Sequence, residues 1–163
     1  MKNMRFYLPF LIVLMSFASI SLLAQKPDPL KLMDKFIGKW QASRGKDTVE
    51  VWDFKEYGPH AFIVDIYQNI SGTKTPVSFN PISYDPATGK FYGFTLLSSG
   101  YYGTWIGSFT SETQFNGDML GNFNPKPVYG RLENIINNPN EWTWRGYTPE
   151  GKKFLQLDFV RAM

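Results

Sequence analysis

From residue 38 to the end of the chain, apolar and polar positions alternate in short runs separated by turn signals. The runs are rich in β-branched and aromatic residues, a pattern typical of strands. Gly58-Pro59, Ser71-Gly72 and Asn116-Gly117 are examples of the turn signals between them. The pattern predicts eight to ten strands, drawn at Lys39–Ser43, Thr48–Tyr57, Ala61–Ile70, Val77–Tyr84, Phe91–Leu97, Tyr102–Phe109, Gln114–Gly121, Val128–Ile136, Glu141–Thr148 and Lys153–Arg161.

One segment before the strands has helical spacing. Asp28 suits the N-cap position of a helix over Pro29–Ile37, and Gly38 ends that helix. The apolar residues of the segment fall on one helix face: Leu30, Met33, Phe36 and Ile37.

The order of these elements limits the fold to two architectures. The connections are short and contain no helix that could cross over between parallel strands, so neighbouring strands should pair antiparallel. One small helix cannot cover a sheet of this size, and closure of the sheet on itself buries one face most simply. The sequence therefore predicts an all-β, up-and-down antiparallel barrel with a short N-terminal helix, and a two-sheet sandwich is the alternative.

The N-terminal 24 residues read as a signal peptide. Lys2 and Arg5 are followed by an apolar run from Phe6 to Met15, then by small residues and Leu22-Leu23-Ala24-Gln25. Ala24 suits the position before the cut, and Ser19-Ile20-Ser21 is a competing site. An uncleaved membrane anchor is the alternative. The segment Phe6–Ala24 has nineteen residues, which is barely long enough to span a bilayer, and Pro9 interrupts it. We therefore expect residues 1–24 to be removed, residues 25–163 to form one domain, and the product to be exported to the periplasm or secreted.

Composition excludes several kinds of site. The chain has no cysteine and one histidine, His60, so it cannot form disulfides, thiolate metal sites or sites that need two imidazoles. Removal of the signal peptide, with Lys2 and Arg5, lowers the formal net charge from +3 to +1. A net charge this small produces no strong electrostatic field that would attract nucleic acid or an anionic membrane. We expect no metal, no cofactor, no nucleic-acid partner and no stable membrane insertion after cleavage.

Motifs near both ends of the domain carry a resemblance. Gly38-Lys39-Trp40 follows the helix, and Arg161 lies in the last strand. This is similar to lipocalins and fatty-acid-binding proteins (calycins), in which a Gly-x-Trp tryptophan packs on an arginine at the closed barrel end. More narrowly, the segment Phe36–Trp40 together with the segment Tyr84–Gly93 resembles the bacterial lipocalin-like domain family of unknown function 1579. The resemblance implies a calycin-like barrel in which Trp40 meets Arg161.

Alternation selects the residues that should face the interior. They are Trp40, Trp52, Phe54, Phe62, Val64, Ile66, Tyr92, Phe94, Leu96, Trp105, Trp142, Trp144, Leu155, Leu157 and Phe159. These rings either fill the interior or line a ligand cavity that opens away from Trp40, with Phe62, Phe94, Trp105 and Trp144 in its wall.

Arg145-Gly146-Tyr147 is a second candidate for ligand contact, because it resembles the Arg-x-Tyr pair with which fatty-acid-binding proteins hold a carboxylate. Burying Trp142 and Trp144 is worth more than burying Thr143 and Arg145, which favours an outward arginine. A bulge at Gly146 is the alternative that would turn Arg145 inward.

No catalytic motif stands out. The carboxylates Asp53, Asp65, Asp118, Glu133 and Asp158 have no fixed spacing, and His60 lies in a turn with no partnered nucleophile. The sequence favours a non-enzymatic periplasmic protein that binds a small hydrophobic or amphipathic molecule. The alternatives are an envelope or glycan-binding module that uses outer tyrosines such as Tyr101, Tyr102, Tyr129 and Tyr147, or a barrel enzyme.

Overall fold

A computed structural model of the protein describes residues 27–122 and 128–162. The predicted signal peptide, residues 1–24, lies outside the described residues. Within the described part of the chain, no helix is long and apolar enough to cross a membrane.

The described residues form one short helix and ten strands. Helix α1 runs over Pro29–Met33 and continues into a 3-10 turn at Asp34–Phe36. The strands are β1 Gly38–Ser43, β2 Thr48–Gly58, β3 Ala61–Ile70, β4 Thr73–Asp85, β5 Lys90–Leu97, β6 Tyr102–Phe109, β7 Gln114–Asn122, β8 Val128–Asn138, β9 Glu141–Tyr147 and β10 Lys153–Arg161.

The strands close into an antiparallel up-and-down barrel. Each strand pairs with its neighbours in sequence, and β1 also pairs with β10, so the sheet has no free edge. The predicted barrel is confirmed, and the sandwich alternative is wrong. Most predicted strand bounds agree within two residues, but β4 begins at Thr73 rather than Val77 because its first residues pair with the end of β3.

The N-terminal helix plugs one end of the barrel. The Asp28 carboxylate accepts a hydrogen bond of 3.0 Å from the backbone N–H of Leu30, as expected of an N-cap. The α-helix ends at Met33, earlier than the predicted Ile37, and the tighter turn that follows directs Phe36 into the core. The Phe36 ring lies 5.1 Å from the Trp142 ring and 5.7 Å from the Phe54 ring. This end of the barrel is therefore filled by aromatic packing.

Trp40 and Arg161 join the first strand to the last at this closed end. Their backbones are in register between β1 and β10. The guanidinium carbon lies 4.2 Å from the centre of the indole, within the range of a cation–π contact. The Trp40 Nε1–H donates to the carbonyl of Phe36. The predicted meeting of Trp40 and Arg161 is confirmed.

Arg161 also binds the backbone of the plug and of the turn between β8 and β9. Its guanidinium donates to the carbonyls of Ile37 at 3.0 Å, Lys35 at 3.3 Å and Pro139 at 3.5 Å. Gly38 makes room for this arrangement, since its φ is +115° and a Cβ there would lie 2.9 Å from an Arg161 nitrogen. Helix, first strand and last strand are thus held by one side chain.

Hydrogen bonds within the turn stabilise the hairpin between β4 and β5, called here the Asp85 hairpin. The Asp85 carboxylate accepts hydrogen bonds of 2.9 Å from the Thr88 hydroxyl and from the Ala87 N–H, and Gly89 has a φ of +68°. These bonds, that of Thr88 first, lower the pKa of Asp85. The pKa of Asp85 is therefore lower in the folded state than in the unfolded state. These hydrogen bonds stabilise the folded state above the unfolded-state pKa, and their contribution is lost as the pH falls through the folded-state pKa.

We expect Trp40→Ala to lower the free energy of unfolding by about 3–5 kcal/mol, because a buried indole is lost from the closed end. Equilibrium urea unfolding measures the change. Tyr57→Ala is the control: Tyr57 is 76% exposed, so its removal should change stability by no more than about 0.5 kcal/mol. Equal effects of the two substitutions would contradict the role assigned to Trp40.

Candidate functional site

The barrel interior holds a cavity of about 650 Å³ above the aromatic plug. Met33 and Phe36 form its floor, and Tyr129 and Phe154, which are 60% and 56% exposed, stand at its other end. The cavity therefore opens away from Trp40, as expected. Its wall comprises Trp52, Phe54, Val64, Ile66, Ser78, Asn80, Ile82, Thr95, Leu97, Trp105, Phe115, Met119, Gly130, Leu132, Asn134, Trp144, Thr148 and Leu155.

Trp105 shapes the wall by lying across the neighbouring strand. It is opposite Gly93 in the register of β5 and β6. A Cβ built on Gly93 would lie 1.9 Å from the indole of Trp105, so only glycine fits beneath the ring. The ring then packs edge-on against Phe115, with centroids 5.9 Å apart. Trp105 lies in the cavity wall as predicted.

Phe94 is on the opposite side of the sheet from its predicted position. It lies on the outer face of β5 and is 37% exposed, and Tyr92 and Leu96 lie outside with it. The predicted inward orientation of these three residues is wrong. Phe91, Gly93, Thr95 and Leu97 face inward instead, because the Trp105 ring occupies the space beside Gly93.

Phe62 and Trp144 both face inward but differ in their surroundings. Trp144 lies in the cavity wall and packs edge-on against Trp52, with centroids 6.2 Å apart. Phe62 is buried in the core and takes no part in the cavity wall. Its assignment to the core is correct, and its predicted place in the wall is wrong.

Arg145 and Tyr147 point outward and hold a carboxylate of the protein itself. The Arg145 guanidinium donates to Glu133 at 3.2 Å, and the Tyr147 hydroxyl donates to the same oxygen at 3.0 Å. Trp142 and Trp144 take the inner face of β9, as their greater apolar area requires. The outward orientation that burial of the two tryptophans favoured is therefore confirmed, and the alternative that turns Arg145 inward is wrong. Contact of Arg145 and Tyr147 with a ligand stays a prediction.

The bulge in this region lies in β10 and affects Phe154. Lys153 pairs with Tyr147 and Leu155 pairs with Gly146, so Phe154 is left over in the register. Its ring turns over Gly146, where a Cβ would lie 2.5 Å from it. The bulge thereby adds an exposed aromatic ring to the mouth of the cavity.

The polar groups of the wall were missed by the sequence analysis. Asn80 is buried and donates to the Val64 carbonyl at 3.2 Å and to the Ser78 hydroxyl at 3.0 Å. Asn134 also lies in the wall, and its Oδ1 is buried without a hydrogen-bond partner. The available signal was a polar residue at an inward position of an otherwise apolar strand face.

Glu50 is a buried carboxylate on the inner face of β2 and was also missed. It accepts hydrogen bonds from the Trp52 indole at 2.8 Å and from the Gln68 amide at 3.3 Å, and it pairs with Arg44 at 3.0 Å. Its acceptor capacity is satisfied within the protein, so it orients Trp52 in the wall.

The other chemical candidates lie outside the cavity. Asp158 is on the outer face and accepts from the Thr143 hydroxyl at 2.8 Å, and exposed His60 lies beside the Tyr84 ring. Among the residues the structure describes, no group of three or more His, Cys, Asp or Glu is placed to hold a metal ion. The arrangement suits binding of an apolar molecule.

Comparisons with known proteins give only distant structural likeness. No family model and no curated protein matches the chain. It is similar to a redesigned beta barrel, mFAP1, bound to DFHBI, with 13% identity and a TM-score of 0.39 over 79% of this chain and 96% of that chain. It is also similar to the redesigned beta barrel b11L5F_LGL, with 14% identity and a TM-score of 0.39 over 85% of this chain and 99% of that chain.

We expect Gly93→Ala to destabilise the protein by about 1–3 kcal/mol, because the added methyl group must displace the Trp105 ring. Urea unfolding gives the free energy, and a shift in tryptophan emission reports the displaced ring. Gly58→Ala is the matched control, since nothing lies within 4 Å of a Cβ there. If both substitutions have the same effect, the close approach of Trp105 to Gly93 is not what requires the glycine.

Proposed function

We propose that this chain is an exported, lipocalin-like binding protein that holds a small apolar or amphipathic molecule inside the barrel. The observation that carries the proposal is the cavity of about 650 Å³, which has an aromatic and aliphatic wall and one open end. Ligand cavities are commonly about 300–1,000 Å³ and mostly apolar. Transfer of an apolar molecule from water into such a space is favourable in proportion to the area buried.

Export and family membership belong to the same proposal. The apolar N-terminal segment and the absence of cysteine support a periplasmic or secreted product. The Trp40–Arg161 contact and the Asp85 hairpin support a place in the bacterial lipocalin-like family. In this proposal the protein carries or stores its ligand and does not transform it.

Binding is tested with diphenylhexatriene, a hydrocarbon that fluoresces in apolar surroundings. We expect it to bind to the native protein and to quench tryptophan emission, because Trp52, Trp105 and Trp144 line the cavity. Met119→Trp reduces the cavity volume and should weaken binding at least about tenfold, with the fold checked by circular dichroism.

Leu120→Trp is the matched control for that experiment. Leu120 is the next residue of β7 and is exposed on the outer face, so this variant should bind like the native protein. A native protein that does not bind the probe, or two variants that bind it equally, would contradict the interior site.

A glycan- or envelope-binding surface is the second candidate, and the outer face of β4–β6 supports it. Phe79 is opposite Leu96, which is opposite Tyr102 on the next strand. The rings of Phe94 and Tyr102 are nearly parallel, with centroids 6.0 Å apart, and both residues are exposed. Exposed aromatic faces of this kind can stack on sugar rings.

This candidate predicts that Phe94→Ser abolishes retention of the protein on immobilised cell-wall polysaccharide while leaving diphenylhexatriene binding unchanged. Retention is measured by elution volume from the polysaccharide column. Thr104→Ser, also on the outer face and opposite Phe94, is the control that keeps retention. Unretained native protein would remove this candidate.

A further inference from the structure

The cavity is notable for the absence of charge from its wall. None of its described lining residues is lysine, arginine, histidine, aspartate or glutamate. Within the described part of the chain, then, a ligand carboxylate or ammonium group held inside the barrel would meet no opposite charge. Burial of an unpaired ion in apolar surroundings is strongly unfavourable.

Two arginines of the barrel already form ion pairs with carboxylates of the protein. Glu50 is buried, and Arg44 pairs with it at 3.0 Å. Arg145 lies outside the barrel on Glu133. Neither arginine is free to hold an anionic ligand without leaving a carboxylate unpaired, which is itself costly for buried Glu50.

Two polar groups of the wall lack a partner within the described part of the chain, Thr148 Oγ1 and Asn134 Oδ1, and Asn134 is the one that lies within a strand. It lies on β8 opposite Phe115 of β7 and Trp144 of β9, and both neighbours are aromatic. Its Oδ1 is buried and accepts no hydrogen bond among the described residues. Buried amide oxygens in folded proteins are almost always hydrogen-bonded, so this one calls for an explanation.

Asn80, in the wall of the same cavity, forms the side-chain hydrogen bonds expected of an asparagine with a structural role. Its amide nitrogen donates both to the Val64 carbonyl and to the Ser78 hydroxyl. It therefore holds β3 and β4 together and positions Ser78. Asn134 makes no comparable contact, and a purely structural role does not explain an amide at that position.

We propose that the cavity selects uncharged amphiphiles that carry a hydroxyl or amide N–H, and that Asn134 accepts a hydrogen bond from that group. The apolar body of the ligand would lie against the aromatic wall, and its donor would satisfy Asn134 Oδ1. This proposal rests on the proposed function and narrows its ligand class to neutral molecules such as long-chain alcohols.

The test uses displacement of diphenylhexatriene from the native protein at pH 8 by 1-decanol, methyl decanoate and decanoate. Decanol is neutral and donates a hydrogen bond, the ester is neutral and cannot donate, and decanoate is an anion. We expect decanol to compete best, the ester to be about fivefold weaker, and decanoate to be at least about tenfold weaker than decanol.

Asn134→Leu tests the anchoring residue. It should weaken decanol binding about five- to tenfold, the loss of one hydrogen bond, while diphenylhexatriene binds as well as before. Asn116→Leu, on the exposed outer face of β7, is the control and should change neither affinity. The unchanged hydrocarbon probe separates loss of the anchor from loss of the fold.

Each contrary outcome has a distinct meaning. If decanoate competes as well as decanol, selection for neutral ligands is wrong while the interior site stands. If Asn134→Leu leaves decanol binding unchanged, Asn134 is not the anchor. If neither the hydrocarbon probe nor decanol binds to the native protein, the proposed function itself fails.

Discussion

The architecture depends on the contact between Arg161 and Trp40. In the described residues only two pairs are in register between β1 and β10, whereas six join β1 to β2. The short seam cannot be held by its ladder alone, since each backbone hydrogen bond contributes about 1 kcal/mol net. Arg161 adds a cation–π contact at that point, and its guanidinium donates hydrogen bonds to three backbone carbonyls. The seam that closes the barrel is therefore reinforced by one side chain.

The interior divides into a packed part and an open part because of where the large rings lie. Trp142 stacks on Phe159 at 4.4 Å, and both are buried near the plug. Towards the mouth, glycines lie beside rings: Gly93 beside Trp105, and Gly146 beside Trp144 and Phe154. There the aromatic rings lie along the wall and leave the centre of the barrel unfilled. Aromatic content alone therefore does not distinguish a filled barrel from a hollow one.

The alternation of residues predicted most of the fold and part of the site. Strands with one apolar face, such as β9 with Trp142 and Trp144, were oriented correctly. In β5 both faces carry large apolar residues, so alternation alone does not distinguish them. Phe94 was predicted inside, and the Trp105 ring of β6 beside Gly93 places it outside. The bulge at Phe154 depends on how the β9–β10 hairpin pairs, and the burial of Glu50 depends on its contacts with Arg44, Trp52 and Gln68. The alternation of apolar and polar residues indicates neither.

The position of Arg161 also affects how the protein is made. A chain synthesised from its N-terminus presents Trp40 long before the last strand exists, and the two residues are 121 positions apart. Strands β2 to β9 can pair with their neighbours as they emerge, but β1 and β10 cannot meet until nearly the whole sequence is available. The growing chain is then a curved sheet with two exposed edges and an uncovered aromatic face. Such species are prone to aggregation. The exposed edges are removed when β10 pairs with β1, so synthesis of the C-terminal strand determines when this risk ends.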